Sequence, residues 1–280
     1  MIVQVREQFG YSVRRICCVL GIRRQTYYRR KKGNQPQDRE EELIGLLQRT
    51  CQRFVAWGFW MVFYFLRNEH KLTDNHKRVY RLWKEAGLHL RVAPKRPGIR
   101  REYRELLVPK QMNQGWAMDF VSDWVVGSQK QSVRIINIMD EFSRRALWTE
   151  AHESICAKKL IEILDKVVLW RGAPQYIRCD NGPEFIAQQL KEWAEKHGIE
   201  LRHIQPGKPS QNGLIERLNK TLRKECLNLH WFNSMEELNN SIQDWSVTYN
   251  QIRPHENLGY LAPMNYETLN MDFYFYPVAA

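Results

Sequence analysis

The 280-residue sequence lacks the features of several protein classes. Its six cysteines form no CxxC pair and no His/Cys cluster has the spacing of a zinc site, which excludes a zinc-binding domain. We interpret the cysteines as reduced thiols that lie mostly in cores. The longest uncharged apolar run, residues 54–66, has 13 residues and is too short to span a bilayer, so no membrane partner is expected. Arg6 and Glu7 lie close to Met1, which argues against a signal peptide.

Acidic residues are scarce in the first part of the chain. Residues 1–110 contain 10 Asp and Glu against 25 Lys and Arg, whereas residues 111–280 contain 21 against 18. The whole chain carries a formal net charge of +12 and is 43% hydrophobic, which is enough for one large core or several small ones. This asymmetry predicts a nucleic-acid-binding module joined to an acid-lined catalytic domain, and it fits poorly with charge that serves solubility alone.

Three carboxylates stand out in the second part of the chain. Asp119 and Asp180 are each the lone acid of a short, largely apolar segment that predicts a strand. An acid in a buried strand is costly unless it faces a metal or a cation. Glu216 follows a Gly/Pro-rich loop and begins a helix, on which it shares one face with Asn219, Lys220 and Arg223. That face suits a metal ligand beside phosphate-binding cations, and a solvated face with i,i+4 charge pairs is the alternative.

These residues carry a family resemblance. This part of the chain resembles the DDE integrase core of bacterial insertion-sequence transposases. The resemblance rests on Asp119, Asp180, Glu216 and Arg223, and on the runs DNGPEF at 180–185 and QPGKPSQNGLIE at 205–216. Within that superfamily the chain is similar to the second-reading-frame (OrfB) product of the IS-three family, from about residue 10 to about residue 268. The resemblance implies an α/β (α+β) fold: an RNase-H-like catalytic core with a mixed five-stranded sheet, preceded by a small all-α helix-turn-helix region. The predicted order βββ-α-β-α-β-α agrees with that core.

Residues 12–32 predict a helix-turn-helix. Ser12 is placed to cap the first helix, Gly21 supplies the turn, and residues 23–31 form the second helix. The second helix offers DNA contacts from Arg23, Arg24, Gln25, Arg29 and Arg30. A non-specific basic helix is the alternative for the same stretch.

A second helix-turn-helix is predicted further on. Residues 40–53 and 57–66 predict an amphipathic and a buried helix, although exposed aromatics in the latter could instead form a protein–protein surface. Asn75 caps a third helix that ends at Gly87. Its DNA-contact candidates are Lys77, Arg78 and Arg81. Transposases of the type that the chain resembles often have a basic residue where this chain has Met61. This departure weakens only the expectation that the helix at residues 57–66 contacts DNA.

The predicted domain organisation has five parts. They are a helix-turn-helix DNA-binding segment (1–32), a second helix-turn-helix-like domain (33–90), a basic linker (91–112), the DDE core (113–268) and a C-terminal tail (269–280). The linker is expected to follow the DNA backbone or to be a disordered connector. Within the core, Asp140 is expected to cap a turn or to pair with Arg144 or Arg145, and Glu184 to sit at a helix N-terminus. Residues 249–263 are expected to fold back on the core.

The resemblance implies phosphoryl transfer on DNA by two Mg²⁺ or Mn²⁺ ions bound by Asp119, Asp180 and Glu216, with Asp119 shared between them. Arg223 is predicted to hold a phosphate near the scissile bond, assisted by Lys220 and Asn219. The implied partners are terminal inverted repeats, target DNA, further copies of the chain and the upstream-frame (OrfA) product. OrfA is often fused to OrfB and supplies a coiled coil, whereas this sequence shows no sustained heptad repeats. The implied location is the bacterial cytoplasm, on the nucleoid. A DNA-binding regulator without catalysis and an RNase-H-like nuclease are the alternatives.

Overall fold

A computed structural model of the chain describes residues 6, 8–24, 36–90, 109–127, 130–205 and 209–275. The first described helix, α1 (Val13–Val19), begins as predicted: the Ser12 side chain accepts a hydrogen bond from the Arg15 backbone N–H. Gly21 has a φ of +64°, which suits the predicted turn because glycine adopts that region at little cost. Most of the second helix of this motif, including Gln25, Arg29 and Arg30, and nearly all of the predicted 91–112 linker lie outside the described residues.

Three helices form a small helical domain around one apolar cluster. They are α2 (Pro36–Arg53), α3 (Phe59–Glu69) and α4 (His76–Glu85). Leu47, Val62, Leu66 and Val79 are fully buried in this cluster. The polar residues 31–39 predict a short linker from sequence. That prediction was wrong for its last four residues, because α2 begins at Pro36, and proline is well suited to the first turn of a helix.

The core contains one mixed five-stranded sheet, as predicted, and its strands have the order β3-β2-β1-β4-β5. The strands are β1 (Gly115–Val126), β2 (Lys130–Asp140), β3 (Ala146–His152), β4 (Tyr176–Cys179) and β5 (Glu200–His203). The first three are antiparallel neighbours, and β4 and β5 continue the sheet in parallel with β1. The parallel pairing matters for the site because it brings the carboxyl end of β4 beside the middle of β1.

Helices cover both faces of the sheet. They are α5 (Ala157–Arg171), α6 (Gln188–Lys196), α7 (Gly213–Glu225), α8 (Met235–Gln251) and α9 (Pro263–Phe275). Side chains alternate along a strand, so Ala117 and Val121 of β1 pack with α7 and α8, whereas Trp116 and Met118 pack with α5 and α6. No helix in the described ranges is both long and apolar enough to cross a membrane.

The last helices of the core differ in how well their extents were predicted. Residues 185–197 predict a helix, but α6 begins only at Gln188, because residues 183–185 form a turn at Pro183. Helix α9 is continuous through residue 268, the predicted end of the DDE core. Its Glu267 is 2% exposed and bonds to Ser143 (2.7 Å), Arg145 (2.6 Å) and Arg171, which ties α9 to the core.

The 249–263 segment contacts both parts of the molecule. Asn250 donates to the Ala146 carbonyl and accepts from the Ala146 N–H (both 2.9 Å), so the predicted folding back on the core is confirmed. The Tyr260 ring also stacks on Tyr64 of α3 at 3.8 Å, and Asn68 donates to the Tyr260 carbonyl. The segment therefore joins the helical domain to the core.

Asp140 has the predicted structural role. Its carboxylate accepts hydrogen bonds from the backbone N–H groups of Asn113 (2.7 Å), Phe142 (2.9 Å) and Ser143 (2.8 Å). The nearest ion-pair partner is Arg171, at 3.9 Å, and not the predicted Arg144 or Arg145. Asp140 thus fixes the turn between β2 and β3.

Candidate active site

The three predicted carboxylates lie on three elements that meet at one end of β4. Asp119 is in the middle of β1, Asp180 directly follows the last residue of β4, and Glu216 is in the first turn of α7. Gly182 donates its N–H to the Asp180 carboxylate (2.8 Å), which fixes that side chain in the turn after the strand. Strand pairing and the packing of α7 on the sheet therefore bring residues that are far apart in sequence into one region.

The three carboxylates interact electrostatically. Burial, together with the negative charges of Asp180 and Glu216, raises the pKa of Asp119 from its ordinary value of 3.8 to about 6, against two opposing hydrogen bonds. Those bonds come from the Phe120 N–H (2.8 Å) and the Asn219 amide (2.8 Å). Asp119 is thus a partly buried acid held among like charges, an arrangement that a bound cation would relieve.

A chain of amides positions Asp119. Asn137, which is fully buried on the neighbouring strand, donates to the Asn219 side-chain oxygen at 2.8 Å, and Asn219 donates in turn to Asp119. The amide of Asn219, predicted to assist phosphate binding, is therefore engaged with Asp119 instead. Sequence reasoning missed Asn137, although the criterion that found Asp119, a lone polar residue in an apolar strand, applies equally to it.

The Asn219→Ala variant should bring a further rise in the pKa of Asp119, because the amide hydrogen bond favours the ionised carboxylate. We also expect any metal-dependent activity to fall by about 10- to 100-fold, as is typical when a residue that orients a metal ligand is lost. The pKa can be followed by ¹³C NMR of the Asp119 carboxyl group in metal-free buffer. Asn228→Ala, at an exposed position beyond α7, is the matched control. An unchanged Asp119 titration in Asn219→Ala would contradict the positioning role.

The shared face of α7 forms one wall of a shallow groove. The groove has a volume of about 280 Å³, and the backbone and side chains of 120–122 on β1 form its other wall. Lys220 lies 3.7 Å from the Glu216 carboxylate, and exposed Arg223 donates to the Ser122 carbonyl (2.9 Å) and lies 3.7 Å from Asp123. Glu216, Asn219, Lys220 and Arg223 thus line the groove together, as their spacing predicts.

Glu184 and His203 flank the carboxylates without joining them. Glu184 forms an ion pair with Arg134, whose guanidinium also stacks on the Phe120 ring at 4.3 Å. It lies in the turn before α6, so its predicted place at a helix N-terminus was wrong. The His203 Nδ1 is 3.1 Å from the Asp180 carbonyl oxygen and so contacts the backbone of the site.

Some of the predicted DNA-contact residues in the first 90 residues are exposed to solvent. Arg23, Arg24 and Lys77 are exposed. Arg78 is paired with Asp74 (3.1 Å) and Glu40 (3.4 Å), and Arg81 is paired with Glu40 (2.7 Å). A DNA contact by Arg78 or Arg81 would have to compete with these ion pairs, which the sequence did not indicate.

The donor chemistry of the site fits a hard divalent cation. Within the described ranges no group of three or more His, Cys, Asp or Glu side chains, the three carboxylates included, is gathered closely enough to hold a metal ion. The carboxylate oxygens of Asp119, Asp180 and Glu216 are nevertheless the ligand type that Mg²⁺ and Mn²⁺ prefer, and Asp119 has a raised pKa caused in part by the other two. Open carboxylate sites that leave coordination positions to substrate are typical of Mg²⁺.

The chain is similar to integrase core domains and to proteins of bacterial insertion elements. Two integrase core domain family models match residues 109–209 and 197–263, and an HTH-like domain model matches residues 38–96. The chain is 35% identical over 268 residues to an uncharacterized 31.7 kDa protein of insertion element IS407 from Burkholderia multivorans, covering 94% of this chain and 92% of that protein. It is 24% identical over 225 residues to the transposase InsD of insertion element IS2 from Escherichia coli, covering 75% and 73%.

A solved structure shares the fold. A chain in the cryoEM structure of the simian T-cell lymphotropic virus intasome in complex with PP2A regulatory subunit B56 gamma aligns with a TM-score of 0.50 and 16% identity, covering 73% of each chain. With the integrase core match, this confirms the predicted RNase-H-like core.

Proposed function

Since the chain belongs to the IS-three family of insertion-sequence transposases, as an OrfB product with an integrase core, we propose that it cleaves and joins DNA strands at the ends of its element. Asp119, Asp180 and Glu216 would carry the reaction as a DDE triad. The observation that supports this most directly is the electrostatic coupling of the three carboxylates, which converge on Asp119 from β1, β4 and α7. Residues 113–268 would form the catalytic domain and residues 1–90 two DNA-binding segments.

Asp119, Asp180 and Glu216 would hold two divalent ions, Mg²⁺ or Mn²⁺. When bound, such ions polarise the scissile phosphate and activate the attacking water or 3′-hydroxyl. Asn219 holds the Asp119 carboxylate in a fixed orientation, and Asn137 fixes Asn219. A site with its ligands oriented in advance needs little rearrangement when the substrate arrives.

The DNA strand would lie along the groove between α7 and β1. Arg223 and Lys220 would contact its phosphates there, and Arg23, Arg24 and Lys77 would contact the duplex further away. The proposed substrates are the terminal inverted repeats and a target duplex. Several copies of the chain would act together on the two ends, with the OrfA product as a further partner, in the bacterial cytoplasm on the nucleoid.

Joining can be tested with the metal ion and the 3′-hydroxyl as separate variables. The purified chain is incubated with labelled duplexes that carry the element ends, in Mg²⁺, Mn²⁺ or EDTA. Half of the duplexes end in a 3′-hydroxyl and the matched half in a 3′-dideoxynucleotide. We expect joined product only with metal and only from the hydroxyl-ended duplex, because that hydroxyl is the attacking group.

The two alternatives give different products in the same assay. Cleavage of an uncut end without joining of the pre-cut end would indicate an RNase-H-like nuclease. Binding with neither product would contradict the proposed catalysis by this chain alone and would indicate a regulator or a need for the OrfA product.

A further inference from the structure

A basic cleft lies where α3 of the helical domain meets the core. We call it the interdomain cleft: it has a volume of about 340 Å³ and lies between Trp60 and Met61 on one side and α7 with the 249–263 segment on the other. Its charged and polar lining residues are Arg144, Arg217, Arg253, His255, Glu256 and Asn257. The rings of Trp60, Tyr249 and Tyr260 complete the lining. The cleft is separate from the α7–β1 groove, which lies along another face of α7.

Three guanidinium groups converge on this cleft. Arg253 is paired with Glu225 at 3.0 Å, and its Nη2 contacts the Met61 sulfur at 3.9 Å. Arg144 donates to the Glu141 carbonyl, but its Nε is buried and has no hydrogen-bond partner among the described residues. Arg217 is exposed at the cleft. Of the lining residues, Glu256 alone is acidic, so positive charge exceeds negative charge.

The titration behaviour of the cleft residues reflects this excess. Burial, followed by the charges of Arg253 and Arg144, lowers the pKa of His255 to about 3, so the imidazole is neutral at physiological pH. Burial also lowers the pKa of Arg144, and Arg217 adds to that effect against the opposing influence of Glu141, Tyr249 and Asp140. The Nε of Arg144 is a buried donor without a partner among the described residues. An unpaired buried guanidinium N–H beside further positive charges indicates a missing anionic ligand.

The backbone of Arg144 has an unusual conformation. Its φ of +63° lies in the left-handed region, which a long side chain rarely adopts and which glycine or asparagine would occupy at lower cost. The hydrogen bond from the Arg144 N–H to the Asp140 carbonyl (3.0 Å) holds this turn. An unfavourable conformation that directs a guanidinium group into a cleft is a common mark of a binding site.

We propose that the interdomain cleft binds a phosphate group of the DNA backbone, at a second contact beyond the α7–β1 groove; this rests on the proposed function. Guanidinium groups match phosphate oxygens in geometry and charge, and aromatic rings beside them can pack against the sugar. Glu216 faces the groove and its neighbour Arg217 faces the cleft. A duplex that crosses α7 therefore reaches both. A phosphate in the cleft would bridge Arg144 and Arg217 of the core and lie against Trp60 of the helical domain.

DNA binding by the full chain in EDTA tests the proposal without any catalytic step. Fluorescence anisotropy over a range of salt concentrations gives the affinity and its salt slope for a labelled element-end duplex. We expect Arg217→Gln and Arg144→Gly each to weaken binding by about tenfold and to lower the slope by about one unit. Arg217 is exposed, and Arg144→Gly also removes the unfavourable left-handed backbone, so both variants should fold. Lys224→Gln is the charge-matched control, because Lys224 is exposed on the same helix and lines neither the cleft nor the groove.

A second arm separates the backbone phosphate from a free one. Thermal unfolding is measured with inorganic phosphate or pyrophosphate against NaCl at equal ionic strength. One outcome would overturn the DNA assignment in favour of a free phosphate ligand. In it, phosphate stabilises the wild type but not Arg217→Gln, and the two proteins bind DNA with equal affinity. A second outcome would show that the cleft is not a phosphate site. In it, Arg217→Gln and Arg144→Gly have the same DNA affinity and salt slope as Lys224→Gln, and phosphate does not stabilise the wild type. Because no joining is measured here, a failure of the proposed catalysis leaves these results interpretable.

Discussion

The Asp119→Asn variant is expected to join DNA ends at least about a thousandfold more slowly than the wild-type chain while being more stable to unfolding. The activity should fall because the neutral amide cannot replace the anionic carboxylate that the proposed metal-dependent reaction needs. The stability should rise because the wild-type carboxylate is ionised at pH 7.5 in a partly buried site beside Asp180 and Glu216. A shift from 3.8 to about 6 corresponds to a penalty on the order of 3 kcal/mol, which the neutral amide avoids.

The pH dependence gives a separate readout in metal-free buffer. The unfolded chain loses the Asp119 proton near pH 3.8 and the folded chain near pH 6, so this residue lowers the stability of the wild type as pH rises between those values. Asp119→Asn should lack that decline. Asp244→Asn, the same change at an exposed position on α8, should leave both activity and the pH profile unaltered. Wild-type joining rates in folded Asp119→Asn would remove Asp119 from the catalytic residues.

Loss of the Glu267 carboxylate should be among the most destabilising single changes in the core. Glu267→Ala would leave the guanidinium groups of Arg145 and Arg171 without their shared acid, and Ser143 without its acceptor. Breaking a buried ion pair in this way costs about 3–5 kcal/mol. A urea titration followed by circular dichroism measures the difference.

Acid should weaken the same network. Burial raises the pKa of Glu267, but the hydrogen bond and charge of Arg171, followed by Ser143 and Arg145, outweigh it and hold the pKa below its ordinary value of 4.5. The stabilisation is therefore present above pH 4.5 and lost as pH falls through the folded-state pKa. Glu236→Ala, at an exposed position in the first turn of α8, should change stability by no more than about 0.5 kcal/mol. A similarly small change in Glu267→Ala would show that the network contributes little.

Local signals predicted much of this fold. The short apolar run at residues 176–179 predicts a strand, and β4 has those bounds. The caps formed by Ser12 and Asn75 are also present, because each depends on residues adjacent in sequence. Helix starts at Pro36 and Gln188 were misplaced because proline permits both a first helical turn and a non-helical turn.

Partners distant in sequence were harder to predict. The spacing of Glu216, Asn219 and Arg223 predicts a shared face, but not that Asn219 would bond to a strand residue 100 positions earlier. The ion pairs of Arg78 with Glu40 and of Glu267 with Arg171 likewise depend on how helices pack. Residue type and periodicity indicate which side chains need a partner, whereas tertiary packing decides which partner they receive.

The last third of the catalytic core has a consequence for how copies of the gene decay. The codons for Asp119, Asp180 and Glu216 all precede those for Asn250, Tyr260 and Glu267, which hold β3, α3 and α5 in place. A nonsense mutation between codons 217 and 250 would thus leave every proposed catalytic carboxylate encoded while removing the contacts that shape the domain around them. Inspection of the three acidic codons alone would score such a pseudogene as intact.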